Sequence, residues 1–315
     1  CSSWRRARAY LRGVPFLRRL PTGFSCGGKV SSVDHISQDN VISLAGVDWQ
    51  QAWEYEDSRR VRPADASHWS GRAKSYGEQS LGEYERIFIE RAQIKPGQTV
   101  LDFGCGIGLL AIPLAKMGCK VIACDFSEGM LAMLREGAAA AGGSDSSDAR
   151  LLAWDDEWRA AGIEPDSVDV AIASRSISTH NLLGALTKLD RTARERACVT
   201  VAAGCSPRRD ERAFAAVGRT RPPVVDYAFC TNILFQHGAF PEISYIVTHS
   251  RPAFADRSEA VESLTDMLGF SLTSDERVAL EAFLDEHYAV DEHAKPGRAY
   301  ASDELREVRW AFISW

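Results

Sequence analysis

The chain has 315 residues, 45% of them apolar and 25% charged, enough to bury a sizeable core in one large α/β domain with additions or in two modest ones. No run of roughly 18 apolar residues occurs, which argues against a membrane-spanning helix. The formal charge of -6 is uneven: residues 1–40 hold seven Lys/Arg against two Asp, net +5, leaving -11 on the rest, a body ill suited to gripping a phosphate backbone.

The eight cysteines contain no CxxC pair and several fall in predicted buried strands, which favours a reducing, cytoplasmic compartment and no structural zinc. Residues 1–40 are Arg-rich, punctuated by Gly and Ser, and lack sustained periodicity, so they read as a disordered basic leader. Their composition is also that of an organellar transit peptide, and a leading Cys is compatible with a lipid-modified terminus. Residues 41–97 form a helical lid segment. A helix is expected over 49–62, with Trp49 and Trp53 on one side and Pro63 as its stop. Trp69 and Tyr76 follow, as packing groups or as a cover over a ligand. Leu81, Tyr84, Ile87 and Phe88 mark an amphipathic helix leading to the Lys95-Pro96-Gly97 turn.

Residues 99–125 organise the chain. Val100, Leu101 and Phe103 predict a short buried strand, and Gly104, Gly106 and Gly108 let the backbone turn sharply and approach a ligand. Leu109 to Ala115 carry a helix-like apolar face that Gly118 closes, so the glycine loop opens a helix and aims free amides at the ligand. A second apolar run ends in Asp125, where an acid at a strand end can accept both ribose hydroxyls. Ser127 caps the next helix, and the 142–147 tract ends it. Strands at 150–153, 168–173 and 198–202, with a helix at 182–194, complete an alternating pattern that predicts a doubly wound, mostly parallel sheet. From 204 to 315 the reading gives a helical cap, with helices at 208–217, 224–236, 258–268 and 274–288, plus closing strands at 243–248 and 308–313. Thr273 to Glu276 have the capping-box pattern.

With these residues in place the chain resembles the class I S-adenosylmethionine-dependent methyltransferases, over about 69–201. Pro96-Gly97-x-x-Val100-Leu101-Asp102-Phe-Gly104-Cys105-Gly106-x-Gly108 is similar to that family's first motif, and Asp125-x-Ser127-x-x-Met130-Leu131 to its second. A nicotinamide or flavin site prefers G-x-G-x-x-G, and here Leu109 stands where the third glycine should fall. Asp102 before the loop also suits a positive ammonium better than a pyrophosphate.

The resemblance implies S-adenosylmethionine as cofactor and a Rossmann-like fold. Asp125 would hold the ribose, Phe126 and Met130 would flank the adenine, and Asp155 would accept the adenine amino group. Tyr76, Cys105 and Ser174 join the cofactor's surroundings. In open α/β sheets the ligand lies at the carboxyl ends of the strands, so residues 174–181 face the methyl group. There His180 is the candidate proton acceptor, or merely a neighbour of a helix cap. Trp69 and Arg175 are candidate substrate contacts, with a surface salt bridge as the other reading of Arg175.

The sequence lacks the Asn/Asp-Pro-Pro-Tyr tetrad of amino-group methylases and the Pro-Cys nucleophile of cytosine-5 enzymes, and it has no basic groove. His237 and His249 have no ligand-like spacing, so no metal is expected. The expected activity is methyl transfer to an oxygen or nitrogen of a small molecule. A cofactor-binding assembly or regulatory protein without turnover, and an RNA or protein methyltransferase, remain alternatives. Phe229, Phe235, Phe240 and Tyr245 are expected either to line an apolar pocket or to belong to the core.

Overall fold

The computed structural model describes residues 46–60, 66–73, 81–142, 147–177, 179–204, 210–220, 224–294 and 297–315. The expectations for residues 1–40 and for Tyr76 lie outside the described residues.

The predicted buried strand forms as β1 (Thr99–Phe103), paired in parallel with β2 (Lys120–Asp125) and β4 (Val168–Ser174). β3 (Ser147–Leu151) extends the sheet beyond β2, and β5 (Ala193–Ala202) beyond β4, both in parallel. β10 (Arg306–Ser314) enters antiparallel between β5 and β6 (Glu242–Ser250). The result is one seven-stranded sheet in the order β3-β2-β1-β4-β5-β10-β6. This is the mostly parallel, doubly wound architecture expected, with β10 reversed.

Two boundaries move. β3 begins ahead of the expected 150–153, because pairing with β2 already starts at Ser147 opposite Val121, and it ends at Leu151. β5 begins at Ala193, inside the expected helix, because the Arg194 guanidinium forks onto Asp169 and the Asp166 carbonyl and holds the backbone extended.

Alternation along the strands splits the core into two faces. Val100, Val121, Val170 and Ile172 pack against α3 (Glu83–Ala92), α4 (Ala111–Lys116) and α5 (Glu128–Ala140). Leu101, Ala171, Ala173 and Val199 pack against α1 (Trp49–Ser58), α6 (Leu182–Thr192) and α8 (Asp226–Gln236). α2 (Ala66–Ala73) lies on α5.

The chain between β6 and β10 is an insertion with its own small core. It contains β7 (Ala253–Phe254), α9 (Arg257–Leu268), α10 (Ser274–His287), β8 (Tyr288–Val290) and β9 (Tyr300–Ser302). The three strands pair antiparallel in the order β7-β9-β8, and α7 (Glu211–Ala216) packs on the same cluster. Both long helices, and the Thr273–Glu276 capping box that opens α10, were predicted from the sequence, but this sheet was not. Strands of two or three residues are too short to show a period. β6 leaves the main sheet at Ser250, opposite Arg306, while Trp310 is already opposite Ala202 at the end of β5. The insertion therefore stands beyond the carboxyl end of β5, the end that carries the glycine loop.

Candidate cofactor and acceptor site

The glycine loop is pinned across two strands. The Gly104 and Cys105 amides both donate to the Cys124 carbonyl at the end of β2, at 2.7 and 3.0 Å. Gly104, Gly106 and Gly108 take φ of +72°, +55° and +89°, left-handed values that favour glycine. A Cβ on Gly104 would sit 2.3 Å from the Ser176 Cβ, whereas one on Gly106 would meet nothing within 4 Å. The first glycine serves packing; the second leaves an open face for a ligand. Cys105 is buried, and burial, reinforced by the charges of Asp102 and Asp125, holds its thiol well above the usual range, so it is a packing residue of the loop.

Asp102 is 1% exposed, and its Oδ2 has no hydrogen-bond partner among the described residues. Burial, followed by the neighbouring charge of Asp125, pushes its carboxyl up to about 7, against the pull of Arg175 and of the Ala111 backbone. A buried carboxylate oxygen without a donor is costly, and a cationic donor relieves it. The ammonium of S-adenosylmethionine fits that requirement.

Asp125 is held by its acceptor bonds. Oδ2 receives the Gly106 amide and Oδ1 the Ser127 amide, both at 2.9 Å. Burial raises its carboxyl, and the amides of Ser127, Gly106 and Phe126 oppose that shift. Each oxygen keeps a lone pair for a ribose hydroxyl. Of the expected adenine neighbours, Phe126 is 39% exposed beside this acid and Met130 is buried against Ile107. Asp155 is exposed on the loop after β3, which the Leu152 bond to the Asp125 carbonyl brings alongside.

Trp69 was expected as a packing group, a cover over a ligand or a substrate contact. It packs on the cluster of Ile107 and Met130, beside the adenine neighbours. α2 is drawn there by the Ser70 hydroxyl, 3.0 Å from that of Ser127, and by Gly129, where a Cβ would lie 2.6 Å from the Ser70 Cβ.

At the end of β4, Ser174 Oγ lies 2.8 Å from the Tyr84 hydroxyl, which also meets Thr200 Oγ1 at 2.6 Å. Burial raises the Tyr84 phenol, and Arg175 opposes that most. Arg175 has φ of +57°, uncommon for a side-chain-bearing residue, fixed by its amide donating to Thr200 Oγ1 at 3.0 Å. Its guanidinium donates to Glu85 at 2.9 Å and lies 4.0 Å over the Tyr84 ring and 5.9 Å over that of Trp310. Arg175 is thus paired within the protein, against the neighbouring rings of Tyr84 and Trp310. Sequence reasoning missed Glu85, Thr200 and Trp310; the only signal for Glu85 was an acid beside the apolar stripe of its helix.

His180 stands at the other end of the same loop. Its Nδ1 is 3.1 Å from Asp57 Oδ2 on α1, with the imidazole 62% exposed. α1 is fastened to this loop by Trp53 Nε1 donating to the Thr179 carbonyl, Gln50 Nε2 to the His180 carbonyl, and the Leu183 amide to Gln50 Oε1. The expected aromatic group divides. Phe229 is buried edge-on against Trp49 and Trp53, while Phe240 is 81% exposed, and Phe235 and Tyr245 also face outward, so the four line no common pocket.

A family profile described as a methyltransferase domain matches residues 100–196, the stretch from β1 into β5 that holds the glycine loop, Asp125 and the loop after β4. Residues 100–196 carry a methyltransferase domain. An uncharacterised protein of Haemophilus influenzae is 29% identical over 255 residues, covering 78% of this chain and 88% of its own length. The ribosomal protein L11 methyltransferase of Campylobacter concisus is 36% identical over 121 residues, 31% of this chain and 42% of that protein. A demethylmenaquinone methyltransferase of Corynebacterium glutamicum is 30% identical over 118 residues, 38% of this chain and 46% of that protein. The chain therefore spans less than half the length of these two named relatives. Among the described residues the methyltransferase domain and its additions contain no metal-like cluster and no helix long and apolar enough to cross a membrane.

Proposed function

We propose that this protein transfers a methyl group to an oxygen or nitrogen of a small molecule bound at the end of β4. The observation that carries this reading is the strap made by α1 and α2. α1 docks on the loop after β4 and α2 on the start of α5, so the two helices flank the carboxyl end of the sheet. A strap of this kind suits an acceptor small enough to sit beneath or beside it, and the acidic body is ill suited to gripping a phosphate backbone. One named relative carries a quinone in its name and another a ribosomal protein, so the names divide and the charge favours the small molecule.

Bound S-adenosylmethionine supplies an electrophilic methyl on a sulfonium. Asp102 meets its ammonium and Asp125 its ribose hydroxyls. Phe126, Met130 and Trp69 flank the base. Ser174, held by the buried Tyr84 hydroxyl that also meets Thr200, presents its own hydroxyl toward the acceptor, and His180 accepts the acceptor's proton. Most of the rate then comes from alignment in a dry compartment, with proton removal worth about 10²–10⁴-fold.

The test is release of S-adenosylhomocysteine from labelled cofactor in the presence of pooled small phenols, quinols and amines. Release is expected from the native protein and not from Asp125→Ala. Cofactor binding without release in any pool would support a binding protein without turnover and overturn this reading.

A further inference from the structure

Asp57 belongs to none of the motifs, and its place is set by three hydrogen bonds that fasten α1 to the loop holding His180. Its side chain is 10% exposed against 62% for His180, so the carboxylate is the fixed member of the pair and the imidazole the member facing solvent. The contact is made through Nδ1, at 3.1 Å from Oδ2. We infer that Asp57 is a positioning residue that holds His180 in the tautomer protonated at Nδ1, turning the lone pair of Nε2 outward toward an acceptor.

This rests on the reading of the site given above, and it adds a group from outside the methyltransferase domain to the chemistry of the loop after β4. An imidazole serves as a base only through its unprotonated nitrogen, and a carboxylate on the opposite nitrogen fixes which one that is. The exposed ring would otherwise rotate and exchange tautomers freely. In the proposed step Nε2 takes the proton of the acceptor hydroxyl or amine as the acceptor atom bonds to the methyl carbon. The electron pair of the carbon–sulfur bond stays with sulfur, and Asp57 stabilises the imidazolium without itself becoming protonated.

The test compares native protein, Asp57→Asn and Asp57→Glu, uniformly labelled with ¹⁵N-histidine and read by two-bond proton–nitrogen correlation, with His180→Gln assigning the resonance. The neutral His180 ring is expected as the Nδ1-protonated form in the native protein, to lose that preference in Asp57→Asn, and to recover it at least in part in Asp57→Glu. Gln50 and Trp53 hold α1 without Asp57, so both variants are expected to bind S-adenosylhomocysteine as the native protein does. Release of S-adenosylhomocysteine in the acceptor assay should fall about 10–100-fold in Asp57→Asn, within the range of positioned proton transfer. An unchanged tautomer, or unchanged turnover in Asp57→Asn, would overturn the assignment of Asp57. Absence of turnover in the native protein would overturn the methyl-transfer reading instead, and the tautomer measurement decides Asp57 by itself.

Discussion

Asp102, one residue before the end of β1, and Asp125, the last residue of the parallel β2 beside it, share the glycine loop unequally, with Phe103 opposite Cys124 in the register. Asp125 uses its oxygens on the amides of Gly106 and Ser127, whereas Asp102 keeps a buried oxygen without a partner among the described residues. The charge of the first adds to the burial that hinders ionisation of the second.

A pH dependence follows from this inequality. Between its ordinary value of 3.8 and about 7, Asp102 keeps a proton in the folded protein that the unfolded chain has released. Its contribution to stability therefore falls as pH rises through that window and levels off above it. Pairing with an ammonium reverses the preference, so cofactor affinity should rise with pH, by up to about tenfold per unit below the folded value. Asp102→Asn should flatten both curves. Calorimetric titration of S-adenosylhomocysteine and thermal midpoints, taken either side of about pH 7, check this; parallel curves for native protein and variant would refute it.

Gly104 and Gly106 should separate packing from binding. Gly104→Ala adds a Cβ 2.3 Å from that of Ser176 at a left-handed φ, so it should lower the thermal midpoint markedly, beyond the roughly 1–2 kcal/mol of backbone strain alone. Gly106→Ala meets open space and should lose only the strain, while weakening cofactor binding by about tenfold, on the order of 1.4 kcal/mol. Equal effects on both properties in both variants would contradict the division of labour.

Trp53 is 1% exposed, packs edge-on against Phe229 and donates to the Thr179 carbonyl. Trp53→Ala should cost about 3–5 kcal/mol by chemical denaturation. Trp53→Phe keeps most of the volume and leaves the carbonyl without its donor, for about 1–3 kcal/mol. A Phe variant as stable as the native protein would show that the indole hydrogen bond does not hold the strap.

The glycine loop proposed to hold the cofactor was legible as a loop because its signals are local. Glycine spacing, an acid before the loop and another at the next strand end lie within 24 residues, from Asp102 to Asp125. The region proposed for the acceptor is built from pairs distant in sequence: Arg175 with Glu85, Tyr84 with Thr200, His180 with Asp57. No period or motif links such residues, and the left-handed backbone of Arg175 has no compositional sign. Trp69 was readable as a cover, but which side of the loop it covers depends on a serine contact between α2 and α5. The three-stranded insertion sheet was hidden by the shortness of its strands.

The placement of β10 has a kinetic consequence. β6 joins the main sheet through β10 alone, and β10 is synthesised after the whole of 251–305. While the ribosome works through those residues, the edge of β5 and both edges of β6 are open to pairing with other chains. Closing the sheet means bringing together segments separated by a long loop, a slow step by the general relation between contact order and folding rate. The small core around Leu264, Leu280 and Leu284 shortens that search if it forms first, by drawing the ends of its own segment together before the last strand arrives.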